Sequence, residues 1–205
     1  MTKTLRLLAL TSVAALSLSS AAFAQASKDP AAVQAGTYTL ESSHARVVFS
    51  VSHMGFSTWY GDFAGATGTL TLDPKALADT KLDVSIPVAS VTTTNAVLDG
   101  ELKSPAWFDA AQFPTITFKS TKVDLTSPTT AKVTGDLTFH GVTKPTTLDV
   151  SFKGTGPNPM SKKVTIGFDA TGSLKRSEFG QKTYVPIIGD EVSLQISAPF
   201  EKKPG

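Results

Sequence analysis

Hydrophobic and polar positions alternate with period two along most of the chain. In Ala45 to His53, Ala45, Val47, Phe49 and Val51 share a face with His53, while Arg46, Val48, Ser50 and Ser52 share the other. The same rhythm returns in Thr67 to Leu72, Lys81 to Val88, Thr115 to Ser120 and Ala131 to Phe139. It continues in Thr146 to Lys153, Lys163 to Ala170 and Glu191 to Phe200. Successive side chains of a strand point to opposite sides, so each stretch predicts a strand with one apolar and one wet face. About eight such strands separated by turn residues predict an antiparallel barrel or sandwich. His140-Gly141-Val142-Thr143 joins two alternating stretches as a hairpin, Gly154 to Pro159 reads as a longer breaker-rich loop, and Pro87 marks its strand as an edge or a bulge. The exception to the alternation is Asn95 to Asp109, where Asn95 is placed to cap a short helix through Lys103, stopped by Pro105.

The N-terminus changes the domain count and the charge. Lys3 and Arg6, the apolar stretch Leu7 to Leu18 and the small residues of Ala22-Phe23-Ala24 predict a cleaved export signal over residues 1–24. A retained N-terminal anchor is the competing reading, but the apolar stretch is shorter than the ~20 residues of a comfortable span, and no later segment approaches that length. An Ala-rich linker, residues 25–35, then leads into one domain over residues 36–205. Taking Lys3 and Arg6 from the 19 basic residues leaves 17 against 17 acidic ones, so the mature chain carries no formal net charge and no electrostatic case for nucleic acid. The absence of cysteine excludes disulfides, thiolate metal sites, thiol catalysis and lipid attachment at a cysteine. Export predicts the periplasm, with the cell exterior as the alternative.

Candidate chemistry is sparse. No nucleophile elbow, zinc-protease, phosphate-loop or dinucleotide motif is present. Of the three histidines, His44 and His53 are nine positions apart, which puts them on opposite faces if Ser43 to His53 is one strand; a zinc site built from them and Glu41 is correspondingly weak. His53 lies on the apolar face, as a core histidine or as a polar group on a cavity wall. Arg176, in Lys175-Arg176-Ser177-Glu178-Phe179-Gly180, is open to a structural salt bridge or to recognition of an anion.

Several short motifs stand in a set order along the chain. They begin with Tyr38-Thr39-Leu40-Glu41-Ser42-Ser43-His44, Val47 to His53 and Gly61-Asp62-Phe63. Leu102 to Asp109 and Phe113 to Ser120 follow. The most specific is Gly135-Asp136-Leu137-Thr138-Phe139-His140-Gly141-Val142-Thr143-Lys144-Pro145, after which come Arg176 to Gly180 and Gly189-Asp190-Glu191-Val192. In this order they resemble the YceI-like family of periplasmic lipid- or polyisoprenoid-binding proteins, and the resemblance runs from about Gly36 to Phe200. It implies an all-β fold, a lipocalin-like antiparallel eight-stranded barrel with a short helical insertion near 95–109, holding a polyisoprenoid or other long-chain lipid. It brings no established catalytic residue; the missing cysteines and the parity of His44 and His53 leave no metal expected, and no cofactor is expected either. Strand parity then nominates Val47, Phe49, Val51, His53, Phe118, Leu137, Phe139 and Phe168 as ligand-contacting positions, with Arg176 added from its context. Two other readings compete with a non-enzymatic carrier: a lipid hydrolase or isomerase using His53, and a stress-related interaction module with a solid barrel. Oligomeric state is left open between monomer and homodimer.

Overall fold

A computed structural model describes residues 26–204; the predicted export signal, residues 1–24, lies outside them. Among the described residues there are ten strands: β1 Gly36–Leu40, β2 Arg46–His53, β3 Ser57–Phe63, β4 Thr67–Leu72, β5 Lys81–Pro87, β6 Thr115–Ser127, β7 Thr130–Phe139, β8 Val142–Pro157, β9 Val164–Lys175 and β10 Ile188–Lys202. All neighbours pair antiparallel. The order β1-β4-β5-β6-β7-β8-β9-β10 closes on itself through β1 against β10, which makes an eight-stranded barrel. The hairpin β2–β3 continues the sheet from Ile188 to Ser197 of β10, whose last residues, from Phe200 on, turn to β1 instead. A helix, α1 Ala96–Lys103, sits between β5 and β6, and its first turn is capped by Asn95, whose side chain accepts from the amides of Val97 and Leu98.

Local chemistry explains the joints. Between β7 and β8, His140 (φ 50°) and Gly141 (φ 73°) both take the left-handed conformation that a two-residue hairpin of matching twist requires. Large inward side chains lie over glycines of the next strand. A methyl group on Gly61 would overlap the ring of Phe49, its partner across β2 and β3, and one on Gly135 would meet the Phe118 ring at 2.5 Å. Glycine is retained where another group must approach the backbone closely.

Three expectations are corrected. The Gly154 to Pro159 stretch is not a loop up to Pro157: those residues are the end of β8, paired with β9, and the turn spans 158–163. Pro87 does not mark an edge, because β5 lies between β4 and β6; it is the last residue of its strand, where no ladder donor is needed, and its carbonyl accepts the Ser90 hydroxyl at 2.7 Å. His44 is not in the strand. It lies in the turn before β2, its ring bound to the Glu41 carboxylate, and the length of β2 separates it from His53, about 23 Å at ~3.3 Å per residue.

Candidate ligand cavity

The inward faces enclose a cavity of about 520 Å³, within the usual range for small-molecule sites. Its wall runs along β9 from Ile166 to Leu174, eight steps of ~3.3 Å, which at a typical barrel tilt of about 40° is a depth of about 20 Å. The lining is almost wholly apolar. Of the positions nominated from sequence, Val47, Phe49, Val51, Phe118, Leu137, Phe139, Phe168 and Arg176 all line it. His53 does not. It is the last residue of β2 and lies beyond the wall, with its ring 5.4 Å from Trp59. The face assignment by parity holds along the body of β2 but does not carry its terminal side chain into the cavity.

The two ends of the barrel are built differently. At the end holding α1, the chain after the helix folds inward, with the amide of Phe108 donating to Leu102 at 2.9 Å. The Phe108 ring then stands among Phe49, Phe63 and Phe139, at centroid distances of 6.3, 5.9 and 5.4 Å. Leu102 and Trp107 complete this cap, and both are buried. Parity gave no access to these residues, because they come from an irregular segment; the signal that could have found them is the density of large apolar side chains in Leu102 to Phe108.

Arg176 belongs to the same cap. Its side chain is only 6% exposed, lies 5.7 Å from the Trp107 ring and, among the described residues, has no carboxylate within salt-bridge distance. Its guanidinium instead donates to three main-chain carbonyls: Nε to Gly189 at 2.8 Å, one terminal nitrogen to Gln181 at 3.1 Å and the other to Ile188 at 2.8 Å. Burial lowers its pKa, opposed by the negative charge of Asp190. Burial also works against the Asp190 carboxylate, but donation from the hydroxyl and amide of Ser177 at 2.7 and 2.8 Å, aided by Arg176, holds its pKa below the ordinary value. Arg176 is thus neither a salt-bridge partner nor a free anion ligand: it ties the start of the β9–β10 connection to its end.

At the opposite end the lining residues Ala31, Leu125, Pro128 and Thr129 are exposed, and the short 3-10 segment Pro30–Ala32 lies across the opening with Val33. The stretch described above as a linker is therefore part of the cavity wall. Among the described residues, no group of three or more His, Cys, Asp or Glu side chains is placed to hold a metal, and no helix is long and apolar enough to cross a membrane.

A family model described as the YceI-like domain matches residues 38–200. Protein YceI of Escherichia coli O17:K52:H18 is 40% identical over 157 residues, covering 77% of this chain and 81% of that protein. The crystal structure of the Campylobacter jejuni YCEI protein superposes with a TM-score of 0.66 at 29% identity, covering 88% of this chain and 99% of that one. A polyisoprenoid-binding domain from Saccharophagus degradans, implicated in plant cell wall breakdown, has a TM-score of 0.60 over 83% of this chain and all of that domain; at 16% identity the likeness is one of fold.

Proposed function

The chain belongs to the YceI-like family, and from that premise we propose that it is a non-catalytic carrier that sequesters a polyisoprenoid or similar long-chain amphiphile inside its barrel, in the periplasm. The observation that carries this reading is the deep apolar-walled cavity. A buried methylene contributes ~0.8 kcal/mol, so a chain lying along such a wall supplies its affinity from the tail alone. A solid barrel would leave no such space. A hydrolytic role for His53 lacks geometric support, since the ring sits outside the cavity against Trp59. The export signal read from residues 1–24 supports the periplasmic assignment.

The test is to purify the mature protein from a bacterial periplasm, extract it with organic solvent and identify the extract by mass spectrometry. A copurifying prenyl or long-chain lipid in near-stoichiometric amount is expected. An empty protein that also fails to take up a prenyl lipid in titration would overturn the proposal.

A further inference from the structure

The wall residues differ in exposure from one end of the cavity to the other. Leu102, Trp107 and Arg176, at the α1 end, are all buried. At the opposite end, Leu125 is 56% exposed although it lines the cavity, and Ala31, Pro128 and Thr129 beside it are exposed as well. Pro74 and Leu77, from the β4–β5 connection, stand on the same rim. The cavity therefore meets solvent at the end away from α1.

The chain that crosses this opening is lightly held. Ser27 exchanges two main-chain hydrogen bonds with Thr155 on β8, at 2.8 and 2.9 Å. From Asp29 to Val33, the main-chain amide donations found among the described residues stay local and none reaches the barrel strands: Asp29 to the Ser27 hydroxyl, Ala31 to the Asp29 carboxylate, Ala32 to the Asp29 carbonyl and Val33 to the Pro30 carbonyl. The next attachment is at Gln34, whose carbonyl accepts from the Tyr38 hydroxyl at 2.6 Å and whose side-chain oxygen accepts from Lys202 of β10 at 2.9 Å. Between these fixed points only small apolar groups (Pro30, Ala31 and Val33) face the cavity. A second feature shows that the seating is built into the barrel. At Gly154 (φ 154°) a methyl group would lie 3.0 Å from the Ser27 carbonyl and 3.2 Å from the Ala26 side chain, so the glycine makes room for the strap. Segments with few buried contacts and locally closed hydrogen bonds open at low free-energy cost.

We propose that residues 28–33 are a flap over the single working portal of the cavity, and that the ligand enters and leaves tail-first beneath it. This rests on the carrier reading. The tail then reaches toward the Phe108 and Arg176 cap, while the polar head stays at the rim near Thr129, in water. The closed end offers a head group little: the Arg176 guanidinium is already turned to three carbonyls and lies close to the Trp107 ring. The protein accordingly selects its amphiphile by the tail and tolerates different heads.

The absence of cysteine makes the test clean. Leu125→Cys places one thiol on the proposed portal; Tyr184→Cys places one at the α1 end, at a residue 60% exposed and outside the cavity wall. Each variant is loaded with cis-parinaric acid, and release into excess geranylgeraniol is followed by fluorescence before and after coupling a polyethylene-glycol maleimide. Coupling at position 125 is expected to slow release by about tenfold or more, and coupling at 184 to leave it within about twofold, because obstruction acts on the dissociation rate. Deleting residues 26–33 should speed both loading and release. The acid and its methyl ester should bind within about threefold of each other, since a head left in water loses none of its hydration. Slowing from position 184 but not 125, or release unchanged by the deletion, overturns the portal while leaving the carrier reading standing. If the uncoupled parent takes up no probe or prenyl lipid at all, the carrier reading falls and the portal with it.

Discussion

Replacing Arg176 by methionine keeps much of the side-chain volume and removes the charge and every donor. The guanidinium makes three hydrogen bonds, at 2.8, 3.1 and 2.8 Å, to the carbonyls of Gly189, Gln181 and Ile188. A hydrogen bond from a charged donor contributes about 1.5–3 kcal/mol, so at the low end three would sum to ~4–5 kcal/mol. The cost of holding a guanidinium out of water, visible in its lowered pKa, takes back part of that. Methionine regains the desolvation but leaves three carbonyls without their donor. The expected net loss is about 3 kcal/mol, or a fall in Tm of about 6–12 °C for a domain of this size. Urea unfolding followed by tryptophan fluorescence reads it directly. Arg176→Lys should recover little, because a single ammonium cannot serve three carbonyls spread around a planar fork. A loss below about 1 kcal/mol in Arg176→Met, or full stability in Arg176→Lys, would refute the reasoning that Arg176 ties the β9–β10 connection together.

Three further outcomes follow from the same geometry. Phe139→Ala, measured by thermal unfolding of the delipidated protein, should cost about 2 kcal/mol, less than the ~3–5 of a solid core, because the ring borders open space; its affinity for a prenyl lipid should fall about tenfold. Asn95→Ala removes the acceptor for two amides at the start of α1 and should lower stability by about 1 kcal/mol in urea, with smaller loss in Asn95→Ser. Asp190 has a folded-state pKa below its unfolded value, so its contribution is complete above the unfolded value and is lost as pH falls through the folded one. The urea midpoint of the parent should therefore drop below roughly pH 4, and that of Asp190→Asn should drop less steeply over the same window.

The body of the barrel was legible because its strands bury one face, and a period-two pattern is the direct record of that. Where the pattern broke, the cause is local. In β6, Ile116 and Phe118 line the cavity from even positions but Val123 and Leu125 from odd ones, because the register with β7 shifts between Ser120 and Lys122. The alternation of Ile116 and Phe118 ends at Ser120, and the strand runs on to Ser127. β1 is only five residues long, and in β3 the alternation is broken at Gly61, whose inward place is taken by the Phe49 ring.

Whether the barrel is hollow could not be read from alternation, and the reason is physical. A filled and a hollow barrel ask for the same apolar residues on the inner face; what separates them is the distance across, set by strand number and tilt, which are properties of pairing over the whole chain. The closures lie still further from periodicity. Phe108 and Trp107 reach the cavity from the irregular chain after α1, Arg176 from a 3-10 turn, and Val33 from a stretch whose composition reads as a linker. Each is held by capping and turn contacts specific to its own segment, such as Asn95 at the start of α1 or Ser27 on Thr155. Alternation therefore locates walls, while the ends, which close the cavity on one side and open it on the other, depend on residues whose placement only the closed barrel determines.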